Sequence, residues 1–195
     1  MEKITLVVSD IHIGRADSKI KEFSNLLETI WPETIIFNGD IFDQFAIWKN
    51  KGLLLKSQLP YIKKIIGIIK QRKIKTYYLP GNHDYLALLF VPFGWIIGTK
   101  IRKRLIFKNK FIIEHGDWIK YYLQIRKICD KSIKIGEYLV NCETLARIKS
   151  KKLIIGHSHR SQIGKNVYDE GDWVENMTYV LIYETKVKIF KYYNL

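Results

Sequence analysis

Five β-branched runs are spaced along this chain, and each ends abruptly in a cluster of Asp, His, Asn and Gly. Residues 4–8 lead into SDIHIG, 34–37 into GDIFD, 74–79 into GNHD, 111–113 into EHGD and 153–155 into GHSH. Short apolar runs without alternation read as strands buried on both faces, since a strand with one wet face would alternate. Helical patterns separate the first three: Ile20, Phe23, Leu27 and Ile30 recur on one face, and Leu59, Ile62, Ile65, Ile66 and Ile69 on another. Strand and helix alternate, which predicts an α/β fold. A further helical region is predicted from Trp118 to about Lys149, then strands at 166–168, 173–184 and 187–193, the last two paired as a hairpin around Thr185 and Lys186. In open α/β sheets the residues closing the strands point into the crevice at the carboxyl ends, where ligands bind. Five loops are therefore expected to meet on one rim.

The histidines sharpen this expectation. The chain has five, His12, His83, His115, His157 and His159, and every one falls in these loops. Any one alone reads as a satisfied structural residue. All five in corresponding places, interleaved with Asp10, Asp40, Asp43 and Asn82, point to metal coordination, because burying so many polar groups uncompensated costs several kcal/mol.

The length of 195 residues predicts one domain, 1–195. With 47% apolar and 27% charged residues, disordered and collagen-like classes are poor fits. Thirty-three Lys and Arg against 19 Asp and Glu give a formal charge of +14. Such a surface attracts anions, whether phosphorylated substrates, nucleic acid or acidic lipid headgroups, although a solvated lysine-rich surface explains the charge equally well. Cys129 and Cys142 lack metal-like spacing and do not suggest a disulfide-stapled secreted protein, and the N-terminus runs straight into a strand pattern, so a cytoplasmic location is expected. No stretch reaches the roughly 18 unbroken apolar residues of a spanning helix. The nearest, residues 86–98, contains Pro92 and is followed by Lys100, Arg102, Lys103 and Arg104. An apolar wedge with a basic collar suits peripheral membrane contact through 86–104, and a core-packed helix with a solvated basic end suits the same residues.

Taken together, DxH at Asp10 and His12, GDxxD at Asp40 and Asp43, GNHD at Asn82, His115 and GHxH at His157 and His159 occur in that order over residues 10–159. This pattern resembles the calcineurin-like metallophosphoesterase superfamily. The resemblance implies a four-layer αββα sandwich, two mixed β-sheets flanked by helices, with a dinuclear metal site on one edge. It also implies that Asp10, His12 and His159 hold one metal, that Asn82, His115 and His157 hold the other, and that Asp40 bridges both. Mixed nitrogen and oxygen ligation favours Mn, Fe, Zn, Co or Ni over Mg or Ca, with Mn placed first. Two such divalent ions, about 3.5–4 Å apart, would clamp the phosphoryl oxygens and turn a shared water into a bridging hydroxide for in-line attack.

A leaving alkoxide needs a proton. His83, beside Asn82, is the candidate donor on the superfamily pattern, with Asp43 orienting it; a loop or helix cap is the alternative for Asp43. Asp84 and Asp117 are weaker supporting candidates for which turn or capping roles serve as well. Arg160, directly after GHSH, is a candidate contact for a substrate phosphate, or a plain surface arginine.

Asp43 is followed by Gln44 and Phe45, which departs from the GDxxDRG of the serine/threonine protein phosphatases. SDIHIG, GDIFD, HGD, GHSHR and the later GDWVEN look most like UDP-2,3-diacylglucosamine hydrolases, which cleave a pyrophosphate bond in a lipid-linked sugar nucleotide. Those enzymes carry a longer helical cap and commonly read GNRD where this chain reads GNHD. The expected activity is therefore hydrolysis of a phosphodiester or pyrophosphate bond in a phosphorylated small-molecule or lipid-linked substrate, with a small helical cap at about 118–149 over the site. A nuclease or nucleic-acid phosphodiesterase is the alternative that the charge favours, and a non-catalytic scaffold would need none of the five histidines.

Overall fold

The computed structural model describes residues 3–84, 98–117, 151–184 and 186–193. The first β-branched run forms β1 (Ile4–Val8), which lies inside a six-stranded sheet. β2 (Thr34–Phe37), β3 (Lys75–Tyr78) and the short β4 (Lys100–Ile101) follow it in parallel. On its other side β10 (Thr178–Tyr183) and β11 (Lys186–Lys191) pair as an antiparallel hairpin. The second sheet has the order β5 (Leu105–Phe107), β6 (Phe111–Ile113), β7 (Lys152–Ile155), β9 (Val167–Asp169), β8 (Gln162–Ile163), parallel in the middle and antiparallel at both edges. Three helices are described, α1 (Ile20–Thr29), α2 (Gln44–Lys49) and α3 (Leu53–Gln71).

Side chains alternate across a strand, and here both faces meet apolar partners. Leu6, Val8, Ile35, Phe37, Tyr179 and Leu181 join a core with Phe23 and Leu27 of α1 and Ile65, Ile68 and Ile69 of α3. Their neighbours Val7, Ile36, Val180 and Ile182 face the second sheet and pack on Phe111, Ile113 and Ile154. Each such side chain contributes about 1.5–3 kcal/mol by leaving water, which is why the runs are continuously apolar. The architecture is thus two mixed sheets face to face with helices flanking the first. The helical cap expected at about 118–149, any helices over the second sheet, Cys129 and Cys142, and residues 86–97 of the apolar segment lie outside the described residues. Among the described residues no helix is long and apolar enough to cross a membrane.

The structure departs from the periodicity in three places. On α3, Ile68 is buried while Leu59 is exposed, so the packing face is rotated from the one expected. Residues 173–177 are a loop instead of strand: Trp173 is fully buried, donates from Nε1 to the Lys19 carbonyl at 2.8 Å, and packs on Phe23, Tyr179 and Tyr192. Its β-like composition reflects a core plug and not a ladder. The basic stretch after Gly98 is not a helix end: it forms β4 and then crosses to β5, with the Arg102 N–H bonded to the Tyr78 carbonyl and Arg104 paired with the buried Glu114.

Candidate metal centre

The loops that end β1, β2, β3, β6 and β7 are laced together by their own backbones. The Asp10 N–H donates to the Gly39 carbonyl and that of His12 to the Asp40 carbonyl, both at 3.0 Å. Asp43 N–H reaches the Ile13 carbonyl at 2.9 Å, Gln44 N–H the His83 carbonyl at 3.3 Å, and Gly156 N–H the His115 carbonyl at 3.1 Å. Asp84 adds a knot, its carboxylate accepting from the N–H groups of Phe42 at 2.9 Å, Gly81 at 3.1 Å and Ile41 at 3.3 Å. That is the turn role considered for it.

Asp10, His12, Asp40, His157 and His159 all have left-handed backbone conformations, with φ between 50° and 67°. Asp and His tolerate this region better than most residues, yet each instance still costs on the order of 1–3 kcal/mol, and such strain gathers at functional sites. Glycines give the side chains room. A Cβ on Gly39 would collide with the His115 ring, one on Gly81 with the Asp40 carboxylate and the same ring, and one on Gly156 with Ser9 and Asp10. The glycine of each of GD, GN and GH is therefore the space into which a side chain from another loop fits.

Two groups of potential ligand atoms result, each within 4.8 Å of one another: Asp10, His12 and His159 in the first, and Asp40, His115 and His157 in the second. In the first, Asp10 Oδ1 lies 3.3 Å from His159 Nε2 and 3.7 Å from His12 Nε2, while Oδ2 accepts from the His157 N–H at 3.1 Å. In the second, Asp40 Oδ2 lies 3.2 Å from His115 Nε2, and Oδ1 accepts from the His83 N–H at 2.7 Å. His115 Nδ1 donates to the Asn38 carbonyl at 2.8 Å. That bond fixes the tautomer and leaves the Nε2 lone pair for a ligand role.

A third group, His12, Asp43 and His83, shares His12 with the first. Asp43 Oδ2 is 3.3 Å from Nδ1 of each imidazole, whereas the first group uses His12 Nε2. One neutral imidazole cannot give lone pairs to cations at both nitrogens, so this trio reads as a carboxylate that orients two imidazoles by its charge. Asp43 Oδ1 also caps α2 by accepting from the Ala46 N–H at 2.8 Å, so the capping role and contact with His83 coexist.

Do these residues fit a pair of metal ions? Asp10 Oδ1, both nitrogens of His12, Asn82 Oδ1, His83 Nδ1 and His115 Nε2 are buried without a hydrogen-bond partner. An orphaned buried polar atom costs about 1–3 kcal/mol, and so many at one place match the demand of cation coordination. The electrostatics agree. Burial opposes ionisation of Asp10, but the charge of His115 and the close approach of the His12 and His159 imidazoles outweigh it and hold its carboxyl well below the usual range. Asp40 is lowered too, its burial outweighed by His115. Burial opposes protonation of His115, yet Asp10 and Asp40 push it up to about 10, and the close approach of Asp10 raises His159. The carboxylates call for positive charge where the ligand atoms converge, and divalent ions would supply it. The fit holds.

Arg160 is exposed, with its N–H on Ser158 Oγ at 3.0 Å, and Asp117, the last residue of EHGD, is half-buried. Sequence reasoning missed several supporting residues. Asn38, whose carbonyl holds His115, donates from Nδ2 to the fully buried Glu170 at 2.7 Å. Burial pushes the Glu170 carboxyl well up, and raises that of Asp169 to about 7. In GDWVEN, Asn176 donates from Nδ2 to the His159 carbonyl at 3.2 Å and to Asp172 Oδ2 at 2.6 Å. GDWVEN was visible only as a motif, while the contribution of Asn38 and Glu170 carried no sequence signal at all.

Solved structures share this fold at low sequence identity. One described as a novel archaeal phosphodiesterase matches with a TM-score of 0.56 at 15% identity, covering 97% of this chain and 99% of the other. TT1561 of Thermus thermophilus matches at 0.54 and 10% identity, with 98% and 99% covered. A dimetal phosphatase from Danio rerio matches at 0.51 and 9% identity, with 97% and 95% covered. A search of curated proteins found no match. The family model for calcineurin-like phosphoesterases matches residues 5–190, and this chain belongs to that family.

Proposed function

We propose that the protein is a metal-dependent hydrolase of phosphodiester or pyrophosphate bonds. The observation that carries this reading is the convergence of two ligand groups and a set of orphaned buried atoms beside His83, a partly exposed imidazole held on a carboxylate. Asp10, His12 and His159 would hold one divalent ion and Asn82, His115 and His157 the second, with Asp40 between them. A bound pair supplies Lewis-acid polarisation of the phosphoryl oxygens and a water of lowered pKa as nucleophile; manganese is our first choice of metal.

The chain's own residues do the rest. His83 turns Nδ1 toward Asp43, which leaves Nε2 to hold the proton that a leaving oxygen takes. Asp84 and the laced loops fix the ligand backbones, so the site is organised before substrate arrives. Arg160 and the charge of +14 draw an anionic substrate to the rim.

Within the family, the motif set up to GDWVEN supports a place near UDP-2,3-diacylglucosamine hydrolases, with GNHD in place of GNRD and a shorter cap segment widening the range to phosphodiesters and pyrophosphates generally. A peripheral membrane contact through 86–104 belongs to the lipid-linked version of this reading. A nucleic-acid phosphodiesterase is the second reading, favoured by the charge.

The test is hydrolysis of bis-p-nitrophenyl phosphate by manganese-loaded protein. Activity abolished by chelation and restored by metal is expected, and inactivity with two metals bound would defeat the reading. Faster turnover of UDP-sugar lipids than of single-stranded DNA supports the first version; steeply salt-sensitive DNA cleavage supports the second.

A further inference from the structure

The helix α2 begins immediately after Asp43 and has no buried residue. It is nevertheless fixed to the site. Ile47 packs on Gly14 of the first ligand loop, where a Cβ would collide with it, and the Asn50 amide donates to the Gly14 carbonyl at 2.8 Å. The α2 start is tied to the His83 carbonyl through Gln44. With Ile47 and Asn50 turned toward Gly14, Phe45 and Trp48 stand three residues apart and so on one side of the helix. Both are exposed, at 57% and 84%. Phe45 meets the His83 ring at 5.8 Å and 89°.

We infer that Phe45 and Trp48 form a seat for a nucleobase on the leaving-group side of the scissile phosphate. The inference rests on the phosphoesterase reading above and names its substrate class, a nucleotide-bearing diester or pyrophosphate. His83, as proton donor, lies beside the leaving oxygen, so whatever that oxygen carries lies beside Phe45. Aromatic faces in water favour a flat, polarisable partner, and a base stacks on them whatever its identity. An acyl chain needs an enclosing apolar groove to leave water, and α2 offers open faces with no buried side chain. Lys49, Lys51 and Lys56 follow on the same stretch, all exposed, and their charge complements flanking phosphates.

The experiment compares kcat/KM for the dinucleotide TpT with that for glycerophosphoethanolamine, using manganese-loaded protein. Both release an alkoxide, so both need His83. Wild type is expected to prefer TpT, and Phe45→Ala to lower the TpT-to-glycerol preference by about 10- to 100-fold, the range for loss of one base–aromatic stack. Trp48→Ala should act in the same direction and Phe45→Trp should retain the preference. Equal losses on both diesters would reduce Phe45 to a prop for His83 and overturn the proposal, as would an unchanged ratio or no wild-type preference.

Binding gives a readout independent of turnover. Thymidine 5′-monophosphate should quench tryptophan emission in wild type and not in Trp48→Phe, with glycerol phosphate quenching neither. Wild type that hydrolyses neither diester, nor bis-p-nitrophenyl phosphate with two metals bound, defeats the phosphoesterase reading, while this quench still decides the base seat. Equal quenching by glycerol phosphate overturns the seat. So does a Trp48-dependent change with phosphatidylglycerol vesicles and none with the nucleotide, which would make the aromatic pair a membrane contact.

Discussion

His12 and His83 are joined through one oxygen, Asp43 Oδ2, which stands 3.3 Å from Nδ1 of each ring. The rings meet edge to face with centroids 5.0 Å apart. The candidate proton donor and a candidate metal ligand thus share a support, and a change at Asp43 reaches both.

Asp43→Asn is expected to keep the α2 cap, since Asn caps as well as Asp, while removing the charge that orients the two imidazoles. Affinity at the Asp10, His12 and His159 group should fall about 10- to 100-fold, the usual effect of losing a carboxylate behind a ligand histidine, and turnover should fall with it. Asp43→Ala should lose a further ~1 kcal/mol of stability with the cap. Metal titration and urea unfolding of the two variants separate these effects. Full metal affinity in Asp43→Asn would show that His12 does not depend on this carboxylate.

His83→Ala should retain two metals while turnover of a diester with an alkoxide leaving group falls about 10²- to 10⁴-fold, the range for general acid catalysis. With a p-nitrophenolate leaving group, which departs without a proton, the loss should be much smaller. The ratio of the two losses is the measurement. Equal losses would deny His83 the donor role, and loss of a metal would make it a ligand.

The fold class was legible because β1, β2, β6 and β7 are buried on both faces, which leaves an unbroken apolar run in the sequence. The strand-end position of the Asp and His clusters was legible for the same reason: the apolar run stops where the core stops. Shorter elements were not. β4 and β8 have two residues each, too few for a period, and α2 buries nothing, so its pattern carries no core-facing stripe. Nothing periodic sets His159 beside Asp10, so far along the chain; only the family resemblance suggested it. The support of His115 by Asn38 uses a backbone carbonyl, which every residue possesses, and so leaves no mark on residue type.

At Gly81 two candidate ligands, Asp40 and His115, crowd one backbone position. Gly81→Ala would drive a methyl group into the Asp40 carboxylate and the His115 ring. The backbone nitrogen of Asp40 crowds the same space at 2.7 Å, so the strain cannot be relieved by a rotamer change alone. The expected result is about 1–3 kcal/mol of destabilisation, typical of overpacking, with loss of metal from the Asp40, His115 and His157 group before the Asp10, His12 and His159 group. Unfolding midpoints and metal stoichiometry check this. Wild-type stoichiometry would mean that the loops relax freely, contrary to the lacing of their backbones.

Metal binding should release protons, and His115 sets the window. Without metal, the carboxylates of Asp10 and Asp40 hold its imidazole protonated up to about pH 10, against an ordinary value of 6.5. This raised value stabilises the metal-free fold fully below pH 6.5, and the contribution is lost as pH rises through 10. A metal takes the lone pair that the proton occupies, so at about pH 8 ligation must expel close to one proton from His115. His159 is shifted in the same direction, whereas Asp10 is already ionised and adds none. Apparent affinity should therefore rise about tenfold per pH unit for each proton displaced, up to about pH 10. Calorimetry at about pH 8 in two buffers of different ionisation enthalpy counts the protons directly. A count near zero would mean that His115 keeps its proton when metal binds, and would remove it from the ligand set.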